Sequence, residues 1–537
     1  MSADITAFAA GYAFGLDDYQ RTACEHLAAG SGVLVAAPTG AGKTVVGEFA
    51  VFQALAQGRK CFYTTPIKAL SNQKYHDLCD RYGEQQVGLL TGDVSINGEA
   101  SVVVMTTEVL RNMIYAGSST LQDLGYVVMD EVHYLADRSR GAVWEEVIIS
   151  LAESVQVVAL SATVSNAEEF GEWLGEVRGE TAVVVTEKRP VPLYQHVMVG
   201  RRLVELFSGT EVNPELVRIA KEEGRGQRDD ARRPRGRSGN GRRSVAYGSG
   251  RYGGGAAHQR QESSRHLVPR RDATVERLRA EKLLPAIYFI FSRQGCDTAV
   301  SQLMRSGLRL TTSGERHRLA EILTRHSSAL SSADLSALGF DSFRGAFLEG
   351  IAAHHAGLLP AFKEAVEEAF VEGLIKVVFA TETLALGINM PARSVVLEKL
   401  VKFNGETHAD ITAGEYTQLT GRAGRRGIDT EGHSVVAWQP GLDPRALAGL
   451  ASRRTYPLRS SFRPTYNMAV NLVATVGRDR ARGLLELSFA QFQSDRSVVG
   501  LARSIATNKA KAEAAWEAVS CTEGDAQAYF RLRAEIS

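Results

Sequence analysis

The sequence predicts an α/β protein in which two parallel-sheet domains stand in tandem and a helical region follows. Short apolar runs alternate with helical stretches between residues 33 and 185, and a second such series runs from residue 286 to residue 438. Continuous apolar strands separated by helices are typical of a parallel sheet that is covered on both faces and binds ligands at the carboxyl ends of its strands. The 537 residues are enough for several domains, and 44% hydrophobic and 23% charged residues are ordinary values for a globular chain.

Composition excludes several classes of protein. No apolar run approaches the roughly 18 residues of a membrane span, and the first residues carry no basic flank followed by an apolar stretch. We therefore expect a cytoplasmic protein that does not contact a membrane. The five cysteines form no C-x-x-C pair, which gives no sign of a cysteine metal site. The net charge of +1 leaves nucleic-acid binding open, because a binding cleft can be basic on a neutral protein.

A phosphate-binding turn at residues 36–44 is the clearest motif, and it lies between an apolar strand run and a helical pattern. Gly40 and Gly42 let backbone N–H groups approach a phosphate, and the amino-terminal end of the following helix favours an anion. Lys43 would reach the β- and γ-phosphates of ATP, and Thr44 would hold Mg²⁺. We assign to the ATP site the residues Pro38, Thr39, Gly40, Ala41, Gly42, Lys43 and Thr44.

A second candidate for nucleotide binding lies just upstream, at Phe14 and Gln20. A glutamine amide can pair with a donor and an acceptor on an adenine edge, and an aromatic ring can stack on the base. The pattern predicts a base-reading patch, with an ordinary surface position at a helix start as the alternative.

Polar clusters follow four strand runs of the first series, at residues 64–70, 106–108, 130–133 and 161–163. Asp130 and Glu131 come directly after an apolar run, which carries them to the rim of the sheet beside Lys43. Adjacent carboxylates at this place suit one that holds Mg²⁺ and one that orients and deprotonates the attacking water. We assign Asp130 to the metal and Glu131 to the general base, with a solvated turn as the alternative.

The sheet pattern is lost after residue 190, and residues 224–271 are rich in arginine, glycine and serine. Such a composition cannot bury a core, so we expect a disordered insertion between two domains. An arm that holds the backbone of RNA or DNA and a passive linker are equally good interpretations of it.

The second series has no phosphate-binding turn of its own, but it carries Arg422 and Arg425 in a glycine-containing stretch. Guanidinium groups can complete a nucleotide site across a cleft and stabilise charge on the phosphoryl group in transfer. Hydrolysis would then depend on domain closure. His354 and His355 are adjacent on a predicted strand and point to opposite faces, which argues against a metal site there.

With these residues identified, the sequence resembles superfamily 2 RNA helicases of the DExH-box, superkiller and exosome-helper type over essentially the whole chain. The acidic motif reads D-E-V-H, and Ala37, where the general phosphate-binding pattern has glycine, is the usual residue of that family. The matching motifs stand in the family's order, with motif I at 37–44, Ia at 64–70, Ib at 106–108, II at 130–133, III at 161–163, V at 381–391 and VI at 418–426.

The resemblance implies a role for each matched residue. Gln20 is implied to read adenine, and His133 is implied to meet Gln418 across the cleft. The second domain is implied to complete the ATP site with Arg422 and Arg425, as fingers on the γ-phosphate, and with Gly387 and Asn389. The residues implied to grip the backbone of a nucleic-acid strand are Thr65, Pro66 and Thr107 in the first domain and Thr383 in the second.

The resemblance also implies a domain plan. Two RecA-like domains, at residues 1–197 and 281–455, are joined by a linker at 198–280 that contains the insertion. A winged-helix-like region at 456–505 and the start of a helical stalk at 506–537 follow.

The implied function is that of an ATP-dependent RNA helicase, which couples ATP hydrolysis to translocation on single-stranded RNA and to duplex unwinding in RNA processing or decay. Its implied ligands are ATP, Mg²⁺ and single-stranded or tailed duplex RNA, with a nuclease or decay complex as a further option, and we expect a monomer. A DNA helicase or repair translocase shares the same motifs, because no side chain shows whether the 2′-OH is read. A non-catalytic scaffold is disfavoured by the intact Lys43, Asp130 and Glu131.

Residues 401–412 are predicted to form a β-hairpin, because Asn404-Gly405 favours a tight turn and β-prone residues flank it. The segment lies between motif V and motif VI, which predicts a wedge that separates strands as the domains close. An ordinary surface hairpin is the alternative.

Overall fold

The computed structural model of the chain describes residues 3–138, 140–231, 266–328, 330–385, 390–403, 407–452 and 455–496, together with 511, 525, 528, 529, 532 and 533. Most of the arginine-rich insertion, Gly387 and Asn389 of the predicted ATP site, the Asn404-Gly405 turn and nearly all of the predicted stalk lie outside the described residues. No helix within these ranges is both long and apolar enough to cross a membrane.

The first predicted sheet is confirmed. Its strands in the described ranges are β1 Gly32–Ala36, β2 Lys60–Thr65, β3 Val87–Leu90, β4 Ser95–Ile96, β5 Val102–Thr106, β6 Leu124–Met129, β7 Gln156–Ser161 and β8 Thr181–Val185. They lie in the order β4-β3-β5-β2-β6-β7-β1-β8, and all neighbours are parallel except β3 and β4. β5 and β6 are buried along their whole length because helices cover both faces, which explains their continuous apolar runs.

The second predicted sheet is also confirmed. The remaining strands are β9 Leu193–Val199, β10 Arg202–Glu205, β11 Phe207–Ser208, β12 Glu211–Val212, β13 Ala286–Phe289, β14 Ile351–His354, β15 Val377–Ala380, β16 Ser394–Leu397, β17 Val401–Phe403, β18 His408–Asp410 and β19 Gly432–Ala437. Seven of them form a sheet in the order β10-β9-β19-β16-β13-β15-β14, in which β10 alone runs antiparallel to its neighbour. β11 pairs with β12 and β17 with β18 in separate two-stranded hairpins.

The boundary between the domains is not where the sequence predicts it. β9 pairs in parallel with β19, so residues 193–205 belong to the second sheet and not to the first domain or a linker. The prediction that the sheet pattern ends after residue 190 is wrong because β9 carries polar residues whose partners are distant in sequence. Gln195 accepts a hydrogen bond from the Tyr416 hydroxyl at 2.7 Å, and His196 Nε2 lies 3.0 Å from His433 Nδ1.

The predicted linker at 198–280 is likewise folded wherever it is described. The helix Pro214–Ala231 runs into the predicted insertion, and the helix Arg271–Ala280 begins at its last residue. The backbone N–H of Gly200 donates to the carbonyl of Leu267 at 2.7 Å, which ties both ends of the segment to the second domain. Disorder stays a prediction for residues 232–265 alone.

Helices pack on both faces of each sheet and enclose an apolar core on each face. The α-helices in the described ranges are Ala3–Ala9, Asp18–Ala28, Thr44–Ala56, Lys68–Tyr82, Thr107–Tyr115, Ala142–Ser150, Ala167–Arg178, Pro214–Ala231, Arg271–Ala280, Arg293–Arg305, Ser313–Ser327, Ser332–Ala337, Phe340–Leu348, Pro360–Val371, Ala413–Thr420, Pro444–Ser452, Tyr466–Val476 and Arg478–Glu486. Short 3₁₀ helices lie at Ser119–Leu121, Val132–Ala136 and Glu382–Ala385.

The carboxyl-terminal region, residues 456–496, contains helices as predicted, beginning at Tyr466, and it packs against the first domain. The Trp173 indole N–H donates to the carbonyl of Leu487 at 2.8 Å. The Asn166 amide donates to the carbonyl of Leu458 at 2.8 Å and accepts from its N–H at 2.7 Å. The chain therefore returns to the first domain after it leaves the second.

Candidate nucleotide site between the two domains

The phosphate-binding turn lies between β1 and the helix Thr44–Ala56, at the carboxyl edge of the first sheet. Gly40 and Gly42 have φ angles of 80° and 89°, which glycine adopts without strain. Lys43 is 6% exposed, and its Nζ atom lies 3.2 Å from Oε2 of Glu131. The ammonium group assigned to phosphate binding thus already faces the carboxylate assigned as general base.

Asp130 is the buried member of the acidic pair that follows β6. It is 2% exposed, and its carboxylate accepts hydrogen bonds from the Tyr63 hydroxyl at 3.0 Å and from the Glu131 N–H at 2.9 Å. Burial, and then the charge of Glu131, raises the pKa of Asp130 to about 6. A nearby cation would stabilise such a carboxylate, so these residues fit the divalent ion that the sequence predicts.

Glu131 holds a left-handed backbone conformation with φ 56° and ψ 42°, which is uncommon for a residue other than glycine. Burial acts to raise the pKa of Glu131, but the Lys43 ammonium, followed by His133 and Arg422, outweighs burial and lowers it. Glu131 is therefore the more acidic member of the pair and is ionised at neutral pH. A carboxylate must be ionised to accept a proton from water.

His133 joins the two domains. Its Nδ1 accepts a hydrogen bond from the Ala162 N–H at 3.2 Å, and its Nε2 lies 2.6 Å from the side-chain amide of Gln418. Burial lowers the pKa of His133 to about 4, so the ring is neutral. The atom of Gln418 that faces the ring is its amide nitrogen, and the donor in this contact is set by which ring nitrogen carries the proton. The structure thus places these two residues in the contact that the resemblance implies.

Arg422 and Arg425 occupy different environments. Arg422 is 8% exposed, and burial lowers its pKa although the nearby Glu131 charge opposes this. Arg425 is instead held by both carboxylate oxygens of Asp429, at 2.7 and 2.9 Å. This ion pair uses Nε and Nη2 and fixes the orientation of the guanidinium group.

Arg426 makes a contact across the cleft that sequence reasoning missed. Its Nη1 donates to the carbonyl of Ala41 at 2.8 Å, and its Nη2 lies 2.8 Å from the Asp17 carboxylate. Its guanidinium carbon lies 5.8 Å from the centroid of the Phe14 ring, which is 49% exposed. The signal in the sequence was Arg426 itself, the last residue of the matched motif, directly after Arg425.

Gln20 lies buried beneath the phosphate-binding turn. Its side-chain oxygen accepts from the Asp17 N–H at 2.8 Å, and its side-chain nitrogen donates to the carbonyl of Gly42 at 2.8 Å. Both ends of the amide are therefore bound to the protein backbone. In this arrangement Gln20 supports the turn, and base reading would require it to change partners.

The residues predicted to grip a nucleic-acid strand lie at the carboxyl ends of strands, as expected. In the first domain their side chains are buried, with the Thr65 Oγ1 2.7 Å from the Ser71 hydroxyl and Thr107 donating to the carbonyl of Thr65 at 3.4 Å. Pro66 is buried as well, whereas Thr383 in the second domain is exposed. The hydroxyls of Thr65 and Thr107 are therefore already hydrogen-bonded within the protein.

Arg189, in the segment between the two sheets, is another residue that sequence reasoning missed. Its Nε donates to the carbonyl of Val191 at 2.8 Å, and its Nη2 donates to the carbonyls of Gly421, at 3.5 Å, and Ala423. Burial lowers its pKa to about 10. These contacts fix the backbone of the motif that carries Arg422.

Two stretches of the chain match known families, with residues 17–170 matching DEAD/DEAH box helicase and residues 322–427 matching helicase conserved C-terminal domain. The chain is 58% identical over 544 residues to the probable helicase HelY of Mycobacterium tuberculosis (strain ATCC 25618 / H37Rv), a match that covers 100% of this chain and 58% of that protein. It is 38% identical over 542 residues to the DExH-box ATP-dependent RNA helicase DExH15, chloroplastic, of Arabidopsis thaliana, covering 94% of this chain and 45% of that protein. It is 39% identical over 489 residues to Superkiller complex protein 2 of Homo sapiens, covering 90% of this chain and 38% of that protein. The chain spans about half the length of the curated relatives it matches.

Proposed function

This chain belongs to the superfamily 2 DExH helicases of the superkiller type, and on that premise we propose that it hydrolyses ATP between its two RecA-like domains to move along RNA and unwind it. The contact of His133 with Gln418 carries the proposal, because it joins the acidic motif of one domain to the arginine motif of the other. A site that two domains share changes as they open and close, which is what coupling of hydrolysis to movement requires.

Hydrolysis would use groups of both domains. Lys43 binds the β- and γ-phosphates and exchanges its present partner, Glu131, for phosphate oxygens. The carboxylate of Glu131, released from this ion pair, takes a proton from the attacking water. Arg422, whose charge already acts on Glu131, stabilises the charge on the phosphoryl group in transfer.

Thr44 and Asp130 are the residues that would hold the divalent cation. When bound, such an ion neutralises charge on the phosphates and polarises them. The Tyr63 hydroxyl donates to one oxygen of Asp130 and so fixes the plane of its carboxylate. Thr44 opens the helix that follows the turn, beside the same phosphates.

RNA is the proposed substrate because the Arabidopsis relative is named an RNA helicase. The human relative is named as a member of a complex, and we propose that this chain likewise has a protein partner, of which a nuclease or decay complex is the candidate that the sequence motifs suggest. We propose that the protein acts in the cytoplasm, as a monomer that such a partner can recruit.

The test is the ATPase rate of the purified protein alone, with single-stranded RNA and with single-stranded DNA of the same sequence, all at one salt concentration. We expect single-stranded RNA to stimulate ATP turnover. We also expect the protein to displace one RNA strand from a tailed duplex. Lys43→Ala should weaken ATP binding and abolish turnover, because it removes the charge that binds the phosphates. Stimulation by DNA alone would make the protein a DNA helicase, and no turnover with either nucleic acid would refute the proposal.

A further inference from the structure

We infer that Tyr456 is a positioning residue for ATP hydrolysis, which ties the carboxyl-terminal region to the contact between His133 and Gln418. This inference rests on the proposed ATPase function. The inference gives a role in the cleft to residues directly after the second domain, which lie outside the helicase motifs.

The backbone of Tyr456 is hydrogen-bonded to the first domain. Its carbonyl accepts a hydrogen bond from the Ser165 N–H at 2.9 Å, and it forms a parallel bridge with Val164. These two residues follow the Ser161–Thr163 cluster at the end of β7, which also supplies the Ala162 N–H that binds His133. The bridge therefore fixes Tyr456 next to the residues that orient the histidine.

The ring of Tyr456 contacts both domains. It meets the His133 ring edge-on, with the centroids 6.5 Å apart and the planes at 76°. The ring also lies against Gly414, in the helix Ala413–Thr420 that carries Gln418, and a Cβ atom at Gly414 would stand 3.2 Å from three ring atoms. The aromatic ring thus fills the space between the histidine of one domain and the helix of the other.

The hydroxyl of Tyr456 is a neutral donor at the edge of the catalytic groups. It is buried and forms no hydrogen bond with another described residue. Burial, and then the charge of Glu131, raises its pKa above the usual value, while the amide of Gln418 acts in the opposite direction. A group that lowers the pKa of a phenol donates to its oxygen, so the amide nitrogen of Gln418 is the polar group that this hydroxyl faces.

The residues that follow Tyr456 hold the turn after the general base. The Ser461 hydroxyl lies 2.7 Å from the carbonyls of both Leu135 and Asp137, at the end of the 3₁₀ helix Val132–Ala136. A Cβ atom at Gly141 would meet this hydroxyl at 2.1 Å, so the two segments are in direct contact. The carboxyl-terminal region therefore supports both sides of His133, and Tyr456 is its point of contact with the second domain.

The first experiment compares Tyr456→Phe and Tyr456→Ala with the matched control Tyr466→Phe, whose tyrosine is 95% exposed. We expect Tyr456→Phe, which keeps the ring, to leave the RNA-stimulated kcat within about twofold, and Tyr456→Ala, which removes the ring, to lower it more than tenfold. The KM for ATP should stay within about twofold in both, because Lys43 and the phosphate-binding turn are untouched. The control should match the wild type.

A second experiment tests the contact itself. As a single variant, Gly414→Ala should lower kcat, because its methyl group displaces the ring of Tyr456. In a Tyr456→Ala background, where the space is empty, Gly414→Ala should cause no further loss of kcat. Additive losses in this cycle, or wild-type kcat in both Tyr456 variants, would overturn the inference and leave the helicase function standing. If the wild type itself shows no turnover, the proposed function fails. The thermal unfolding midpoints of the wild type, Gly414→Ala, Tyr456→Ala and the double variant then test whether the ring joins the domains. Additive shifts of the midpoint would overturn the inference.

Discussion

At the scale of single residues, the groups that surround Glu131 determine the charge and orientation of its side chain. Its left-handed backbone costs on the order of 1 kcal/mol, and the ion pair with Lys43 at 3.2 Å holds the side chain in the cleft. His133 Nδ1 lies 3.4 Å from the same carboxylate. The side chain is therefore both ionised and oriented before ATP binds.

Glu131→Gln should leave ATP affinity nearly unchanged and reduce turnover to less than about a tenth of the wild-type rate. The amide keeps the shape of the side chain but cannot accept the proton of the attacking water. Nucleotide binding measured by titration calorimetry, together with the RNA-stimulated ATPase rate, checks both halves of this expectation. A variant that hydrolyses ATP at a higher rate would show that another group is the base.

Arg426→Ala should raise the KM for ATP about three- to tenfold with kcat within about twofold. The guanidinium group and the Phe14 ring lie 5.8 Å apart, so a base that enters between them gains contacts on both faces. Arg482→Ala is the matched control, because that side chain is 82% exposed and pairs only with Glu486 among the described residues. An unchanged KM would mean that the adenine binds elsewhere.

At the scale of secondary-structure elements, the hairpin of β17 and β18 is anchored by ion pairs to two neighbouring segments of the second domain. Lys402, in its first strand, lies 2.5 Å from the Glu382 carboxylate and 2.6 Å from the Glu415 carboxylate. These two acids stand in the motif V segment and at the start of the helix that carries Gln418. Phe403 is 57% exposed beside the turn, which is where an apolar side chain could meet a base pair.

Replacement of residues 406–409 by a minimal turn should lower strand displacement on a tailed duplex and leave the RNA-stimulated ATPase rate near normal. The wedge would be lost while the anchor at Lys402 stays. Lys402→Ala should instead lower both activities, because it detaches the hairpin from both motifs. Equal loss of both activities in the shortened variant would show that this hairpin does not separate strands.

On the scale of the whole molecule, a buried carboxylate fastens the carboxyl-terminal region to the first domain. Glu145 is 0% exposed, and it accepts hydrogen bonds from the Ser460 hydroxyl and from the N–H groups of Phe489, at 2.7 Å, and Ala490, at 3.4 Å. Burial raises the pKa of Glu145 to about 7, although these three donors oppose it. The anchor is therefore sensitive to pH near neutrality.

Glu145→Gln should reduce the dependence of stability on pH. A raised pKa means that the contribution of Glu145 to stability is fully present below about pH 4.5 and is lost as the pH rises through about 7. The thermal unfolding midpoint of the wild type should therefore fall relative to the variant between pH 5 and pH 8, by the equivalent of about 3 kcal/mol at most. Glu176→Gln, at an exposed site in the helix Ala167–Arg178 of the same domain, is the control. Parallel pH curves for wild type and Glu145→Gln would contradict the expectation.

The sequence by itself determined the two sheets, the phosphate-binding turn and the acidic pair. The apolar runs at β5 and β6 are buried on both faces, so their character is visible without a partner. Gly40 and Gly42 are required by their own positive φ angles, and Asp130 and Glu131 follow directly from the strand that carries them. Each of these features depends on residues that are close together in the chain.

Only the tertiary structure decided where the second domain begins and what completes the cleft. The polar residues Gln195 and His196 hide β9 in the sequence pattern. In the structure their partners are Tyr416 and His433, more than 200 residues away. Arg426 stands 385 residues from the carbonyl it binds at the phosphate-binding turn. The physical reason is that a polar side chain is stable in the interior only beside a specific partner, and the fold decides which distant groups become neighbours.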